Sequence, residues 1–231
     1  MFYRNLLLLI ILTFASFGAY TQETHVEKDV GFWVGANFNK DFFKDFNFSS
    51  EYQIRTFKDG SEIDDHIVDL GITQRINNRY VIGSNLRYIY DKKRFVETEK
   101  NVRYNFDIKY KHQINSKSRL QYRLRYQQEY INFFKNFYAP AKQKVFNTTI
   151  RNKIRWTIKT NSLNQIFFSS ELFRRSELFR YPYFNKIRFY IGNKRTYEIG
   201  DLNVSIGLEN ELNNKYPYQF VFLKTTFVIN R

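Results

Sequence analysis

Asp64-Asp65-His66 is the one place in this chain where an imidazole directly follows carboxylates. An imidazole oriented by a carboxylate is a general base near neutral pH and can activate water for hydrolysis. Asp64, Asp65 and His66 are therefore the candidate catalytic residues, at the end of a strand. A bland reading competes with it, since a His near carboxylates is often only a solvated loop. The other histidines offer less. His25 is close to the start of the chain, and His112 falls on the apolar side of an alternating segment. A Ser–His pairing would need Ser84, one strand away from His66 and nearer mid-strand. With no cysteine in the chain, thiolate nucleophiles, disulfides and thiolate metal sites are excluded. No Gly-rich phosphate loop, zinc spacing or nucleotide fingerprint is present, so no cofactor or metal is expected.

A second chemistry is written in the spacing of the cations. Arg119, Arg123 and Arg125 alternate with Leu120, Tyr122, Leu124 and Tyr126. Arg151, Lys153 and Arg155 alternate with Ile150, Ile154 and Trp156. Arg103, Asp107, Lys109 and Lys111 alternate with Tyr104, Phe106, Ile108 and Tyr110. A period of two gives a strand with two unlike faces. The same alternation recurs in segments 46–56, 66–76, 80–90, 163–174, 185–195, 202–212 and 219–229. These segments run about ten to fifteen residues, whereas ordinary globular strands centre on five or six. Strands that cross a bilayer at a tilt need about nine to eleven. All three prolines, Pro140, Pro182 and Pro217, fall between the segments, where they cost no ladder bond.

The connections sort by length. Those at 77–79, 115–117, 159–162 and 198–201 are short, and those at 57–65, 91–101, 131–143 and 175–184 are long. Strict alternation of the two classes is the habit of outer-membrane barrels, with short periplasmic turns and longer extracellular loops. The expected fold is thus all-β: a transmembrane antiparallel up-and-down barrel of about ten strands, with about twelve as the alternative. The alternative arises from 30–38, VGFWVGANF, which also alternates but upsets the even count. A soluble periplasmic β-sandwich is the competing architecture, disfavoured by strand length.

The chain opens with MFYRNLLLLIILTFASFGAYTQ, a positive residue, a short apolar run and small residues. This is the layout of a cleaved signal peptide, so 1–21 is expected to be removed and 22–231 to form one domain. Export points to the outer membrane of a Gram-negative cell. Expected partners are outer-membrane lipid, lipopolysaccharide, and the barrel-assembly machinery during insertion.

In lipid the apolar face points outward and the polar face inward. The expected lipid-facing set is Tyr104, Phe106, Ile108, Tyr110, Leu120, Tyr122, Leu124, Tyr126, Ile150, Ile154 and Trp156. The expected lumen set is Glu51, Arg55, Arg87, Arg103, Asp107, Lys109, Lys111, Arg119, Arg123, Arg125, Glu129, Arg151, Lys153, Arg155, Glu171, Lys186, Arg188, Glu209 and Glu211. The net charge of +15 with 19% aromatics would also suit nucleic acid, but export argues against that partner. Lysines and arginines lining a pore select anions, which makes a small anionic solute the expected cargo of an open lumen. A salt-bridged plug is the other reading, favoured by the narrowness of so small a barrel. The expected function is structural or a narrow anion-preferring pore, with a rim hydrolase as the alternative.

Several patches resemble an uncharacterised bacterial family of predicted outer-membrane proteins, the domain of unknown function 2490. They are Asp29-Val30-Gly31-Phe32-Trp33, Glu51 with Arg55, Leu86-Arg87-Tyr88, the Arg123, Arg125 and Glu129 ladder, Ser170-Glu171-Leu172-Phe173, and 185–192. Asn101-Val102-Arg103 stands where a His-Arg pair is expected, and Lys186 where an Arg is usual. The resemblance implies an outer-membrane location and no established activity.

Overall fold

The computed structural model describes residues 26–92, 98–133, 146–177 and 180–230. The expected signal segment, 1–21, and Pro140 lie outside them. Eleven strands form one closed barrel. In chain order they are β1 (Glu27–Phe43), β2 (Phe46–Phe57), β3 (Glu62–Arg75), β4 (Tyr80–Asp91), β5 (Glu99–Gln113) and β6 (Ser118–Tyr130). There follow β7 (Phe146–Lys159), β8 (Asn164–Glu177), β9 (Arg180–Tyr197), β10 (Gly200–Glu211) and β11 (Tyr218–Asn230).

The expected even count is corrected to an odd one, and 30–38 is the reason. That segment belongs to β1, which pairs with β2 antiparallel and with β11 in parallel. The parallel register runs unbroken from Glu27 opposite Tyr218 to Asn39 opposite Asn230. Hydrogen bonding demands only that each sheet edge find a partner; it does not demand antiparallel pairing. Closing in parallel satisfies both edges with an odd number of strands. It also puts the start of β1 and the end of β11 at opposite rims.

The connections at one rim are all tight: residues 44–45, 76–79, 114–117, 160–163 and 198–199. Asn side chains build three of these turns. Asn77, Asn115 and Asn161 each accept backbone N–H groups two or three residues on. At the opposite rim more of the chain separates consecutive strands: seven residues between β4 and β5, fifteen between β6 and β7 and six between β10 and β11. Two connections expected to be long there are short. The β2–β3 turn spans only 58–61, because Lys58, Asp59 and Gly60 all take positive φ and reverse the chain at once. Strands β8 and β9 continue toward each other until only 178–179 separates them. Pro182 consequently lies inside β9 and not between strands. It sits where the β8–β9 register shifts, with no partner in the ladder, which is where a strand tolerates a missing N–H.

Alternation then sorts the side chains. Tyr104, Phe106, Ile108, Leu120, Tyr122, Leu124, Tyr126, Ile150, Ile154 and Trp156 are exposed on the outer surface, and Tyr110 is half-buried there. Comparable exposed residues lie on every other strand, among them Val34, Tyr52, Ile72, Leu86, Phe168, Ile191, Ile206 and Leu223. The buried interior is charged: Asp69, Asp107, Arg125, Arg151, Glu171, Arg188 and Glu209 are all among the buried residues.

Candidate functional site

Cross-strand register decides what each interior charge meets. It places Arg55 opposite Asp65, Asp69 opposite Arg87, Asp107 opposite Arg125, and Arg103 opposite Glu129. It places Glu171 opposite Lys153 on one side and Arg188 on the other, and Arg188 opposite Glu209. Side chains on directly opposed positions point the same way and sit close enough to pair.

They do pair. Both Nε and Nη2 of Arg125 donate to the Asp107 carboxylate, at 2.6 and 2.7 Å. Arg87 Nε donates to Asp69 at 2.6 Å, and Arg103 Nη2 to Glu129 at 2.6 Å. Arg188 donates to Glu209, which Lys186 also reaches at 2.7 Å. Arg55 approaches Asp65 at 3.4 Å. Glu171, only 1% exposed, accepts from Arg123 at 2.6 Å and from Arg151 at 2.9 Å, with Lys153 at 3.9 Å. Since Arg123 is on β6 and Glu171 on β8, this cluster ties three consecutive strands across the inner wall.

The upper lumen holds a second structure, which alternation alone did not reveal. Trp33 and Phe222 stack with centroids 3.7 Å apart, and Phe220 packs alongside at 5.5 Å from Phe222. Arg55 lies over the Trp33 ring at 4.1 Å and Arg188 at 5.0 Å, within the range of cation–π attraction. Phe222 is wholly inaccessible to solvent. The sequence does carry a faint signal for this cluster. Its neighbours on the inward face are glycines, and a Cβ on Gly207 or Gly31 would overlap the Phe222 or Phe220 ring. Phe167 and Phe173, which break the alternation of their strand, also point inward and lie under Arg155 and Arg151.

Three cavities follow one another along the lumen. The central one, of about 430 Å³, is lined from every strand except β10. Glu51, Arg55, Arg87, Arg103, Asp107, Lys109, Arg123, Arg125, Glu129, Arg151, Lys153, Glu171, Lys186 and Arg188 all face it. The cavity at the long-loop rim, about 520 Å³, includes Glu209 and Glu211, and shares Trp33, Arg55, Lys186 and Arg188 with the central one. The cavity toward the short-turn rim, about 440 Å³, includes Arg155. Lys111 and Arg119 lie outside these three, at the short-turn rim beside Arg75 and Arg79.

The Asp64-Asp65-His66 trio is divided by the barrel wall. The β2–β3 register slips between Arg55 and Thr56, and this brings Asp64 inward together with Asp65. Both face the cavity at the long-loop rim, with ligand oxygens within 4.8 Å of each other and of Asp91. His66 is on the outer face, where its Nδ1 is 2.8 Å from the Tyr52 hydroxyl and its ring packs between Tyr52 and Tyr90. The carboxylates that were to orient the imidazole are thus on the other side of the sheet. The physical reason is the period of the strand: adjacent residues point to opposite faces.

No curated protein and no solved structure gives a match to this chain. A family model does, described as a protein of unknown function (DUF2490), over residues 30–218. That span runs from β1 to the first residue of β11 and contains every ion pair described above. The chain belongs to this family of proteins of unknown function.

Proposed function

We propose that this protein is an integral outer-membrane barrel of a Gram-negative cell, exported by a cleaved signal peptide, whose ion-paired lumen is closed and serves to hold the barrel rather than to conduct. The observation that carries this reading is the inversion of polarity. Large apolar side chains are exposed on all eleven strands, while arginines and carboxylates are buried. A contiguous apolar surface of that extent does not persist in water and is the outward band expected in lipid. What supports closure is the Trp33, Phe222, Arg55 and Arg188 cluster between the long-loop cavity and the central one.

Heat-modifiable migration on a gel and extraction only by detergent are the expected behaviour. Recovery of the mature protein in the aqueous periplasmic fraction would overturn the reading. Phe106→Arg, at the middle of β5 on the outer face, is expected to cost about 2–4 kcal/mol, the range for an arginine at the bilayer midplane. Denaturant titration of the barrel refolded in lipid vesicles measures it; an unchanged midpoint would argue against lipid at that face.

The parallel closure gives a topological prediction. With the tight turns in the periplasm, an epitope placed before Val26 is expected to bind antibody on intact cells, and one placed after Asn230 is not. Equal access to both tags is incompatible with an odd-stranded barrel.

A further inference from the structure

The ion pairs are unevenly shared along the lumen. The arginines of the central cavity take the carboxylates, whereas Lys109, Lys153 and Lys224, which line both that cavity and the one at the short-turn rim, and Arg155, which lines only the latter, do not share in them equally. Lys109 faces Arg123 across the ladder, and Lys224 faces Ser205 and Trp33. Arg155 faces Gln121 and Ser169, and rests on the Phe167 ring at 3.8 Å. Among the described residues none of these three has a carboxylate within salt-bridge distance. Lys153 has only the 3.9 Å approach to a Glu171 already held by two arginines. All four line the cavity of about 440 Å³ at the short-turn rim, with Glu51 as its single carboxylate.

Two hydroxyls in the same cavity give a second observation, independent of the charges. Ser169 Oγ and Thr226 Oγ1 line it, belong to residues each 7% exposed, and have no hydrogen-bond partner. The Asn37 Oδ1 in the same wall is also unpartnered, and turning that amide would present its N–H₂ group inward. Buried polar atoms are almost always satisfied, so unpaired hydroxyls beside uncompensated cations mark a place for an acceptor. Three cations without an ion pair and the loosely held Lys153, against Glu51 as the one carboxylate in the lining, repel each other unless an anion joins them. Arg75, Arg79, Lys111 and Arg119 at the same rim add positive potential outside the mouth, which would concentrate anions there.

We infer that the short-turn cavity is a binding site for a small soluble solute bearing phosphate-type oxyanions, held by Lys109, Lys153, Arg155 and Lys224 with the Ser169 and Thr226 hydroxyls as donors. The site does not depend on the barrel's location or on whether the lumen conducts. Its volume admits a pyrophosphate or a small phosphorylated metabolite and excludes a chain or a folded partner.

The test is calorimetric titration of the detergent-folded full-length mature protein with inorganic pyrophosphate, at fixed ionic strength. Saturable one-to-one binding is expected. Lys224→Met is expected to weaken it at least tenfold, and Ser169→Ala about threefold to tenfold, since a hydrogen bond to a charged group is worth that much or more. Lys117→Met, a cation in an exposed turn, is expected to leave it unchanged. Ser169→Ala removes no charge and keeps the test open if Lys224→Met fails to fold. Absence of heat with the wild-type protein overturns the inference. So does binding that both site variants leave intact, or that Lys117→Met weakens as much as they do, which would mean general attraction to a basic surface. Binding of a short-chain phosphatidic acid but not of pyrophosphate would assign the site to a lipid headgroup and overturn the soluble solute.

Discussion

Glu171→Gln is expected to lower the unfolding free energy by about 3–5 kcal/mol, the cost of removing one partner from a buried charge cluster. The substitution keeps the size of the side chain and removes only its charge. It leaves Arg123 and Arg151 facing a neutral amide, with Lys153 beyond them, in an interior where Glu171 itself is 1% exposed. Desolvated cations without a counter-charge are far more costly than the pair is favourable, which is why the loss exceeds that of any surface bridge. Glu62→Gln is the control. Glu62 pairs with Lys58 at the rim, where both side chains are about half exposed, and such pairs contribute about 0–1 kcal/mol. Denaturant titration of the refolded barrel, read as the loss of the compact band on a gel, measures both. Equal midpoints for the two variants would mean that the lumen is hydrated enough to screen its charges, and the closed reading would fall with it.

Trp33→Ala is expected to cost about 3–5 kcal/mol, the range for deleting a large buried aromatic. Trp33 is 4% exposed and stacks on Phe222 at 3.7 Å. Its removal also takes the platform from under Arg55 and Arg188, which lie 4.1 and 5.0 Å from its centroid. These residues line both the central cavity and the one at the long-loop rim, so the variant is expected to join the two. In planar bilayers the wild-type protein should pass no resolvable current and Trp33→Ala should show small steps that favour anions. Trp33→Phe keeps a ring in the partition and should remain closed, with a smaller loss of stability. Wild-type conductance equal to that of Trp33→Ala would show that the aromatic cluster is not a barrier.

The stretches that alternate most cleanly in sequence, 102–114 and 118–130, fall on β5 and β6 and put their apolar and polar residues on opposite sides of the sheet. The reason is local: one residue per face, period two, needs no knowledge of the partner strand. Lys186 and Arg188 on β9 line the central cavity, whereas Lys111 and Arg119 lie at the short-turn rim. The family was legible as well, from short patches in a fixed order, and the match over residues 30–218 agrees.

What depended on tertiary structure is every property that belongs to two strands at once. Whether Arg123 repels Lys109 or neutralises Glu171 is a question of register and of which strand lies beyond the next, and neither is encoded in any single segment. The odd strand count arises because the two ends of the sheet meet each other, an event separated by the whole chain. Trp33 is far from Phe220 and Phe222 in the chain, and only the parallel pairing of β1 with β11 sets them side by side. Asp64-Asp65-His66 shows the opposite case, residues adjacent in the chain that a bulged strand divides between the two faces of the barrel wall. Sequence by itself determined that the chain is built of long, two-faced strands and which of its residues share a face, because these follow from periodicity and composition. Only the closed barrel decided which charges are paired and which remain for an anion, because pairing is set by long-range register.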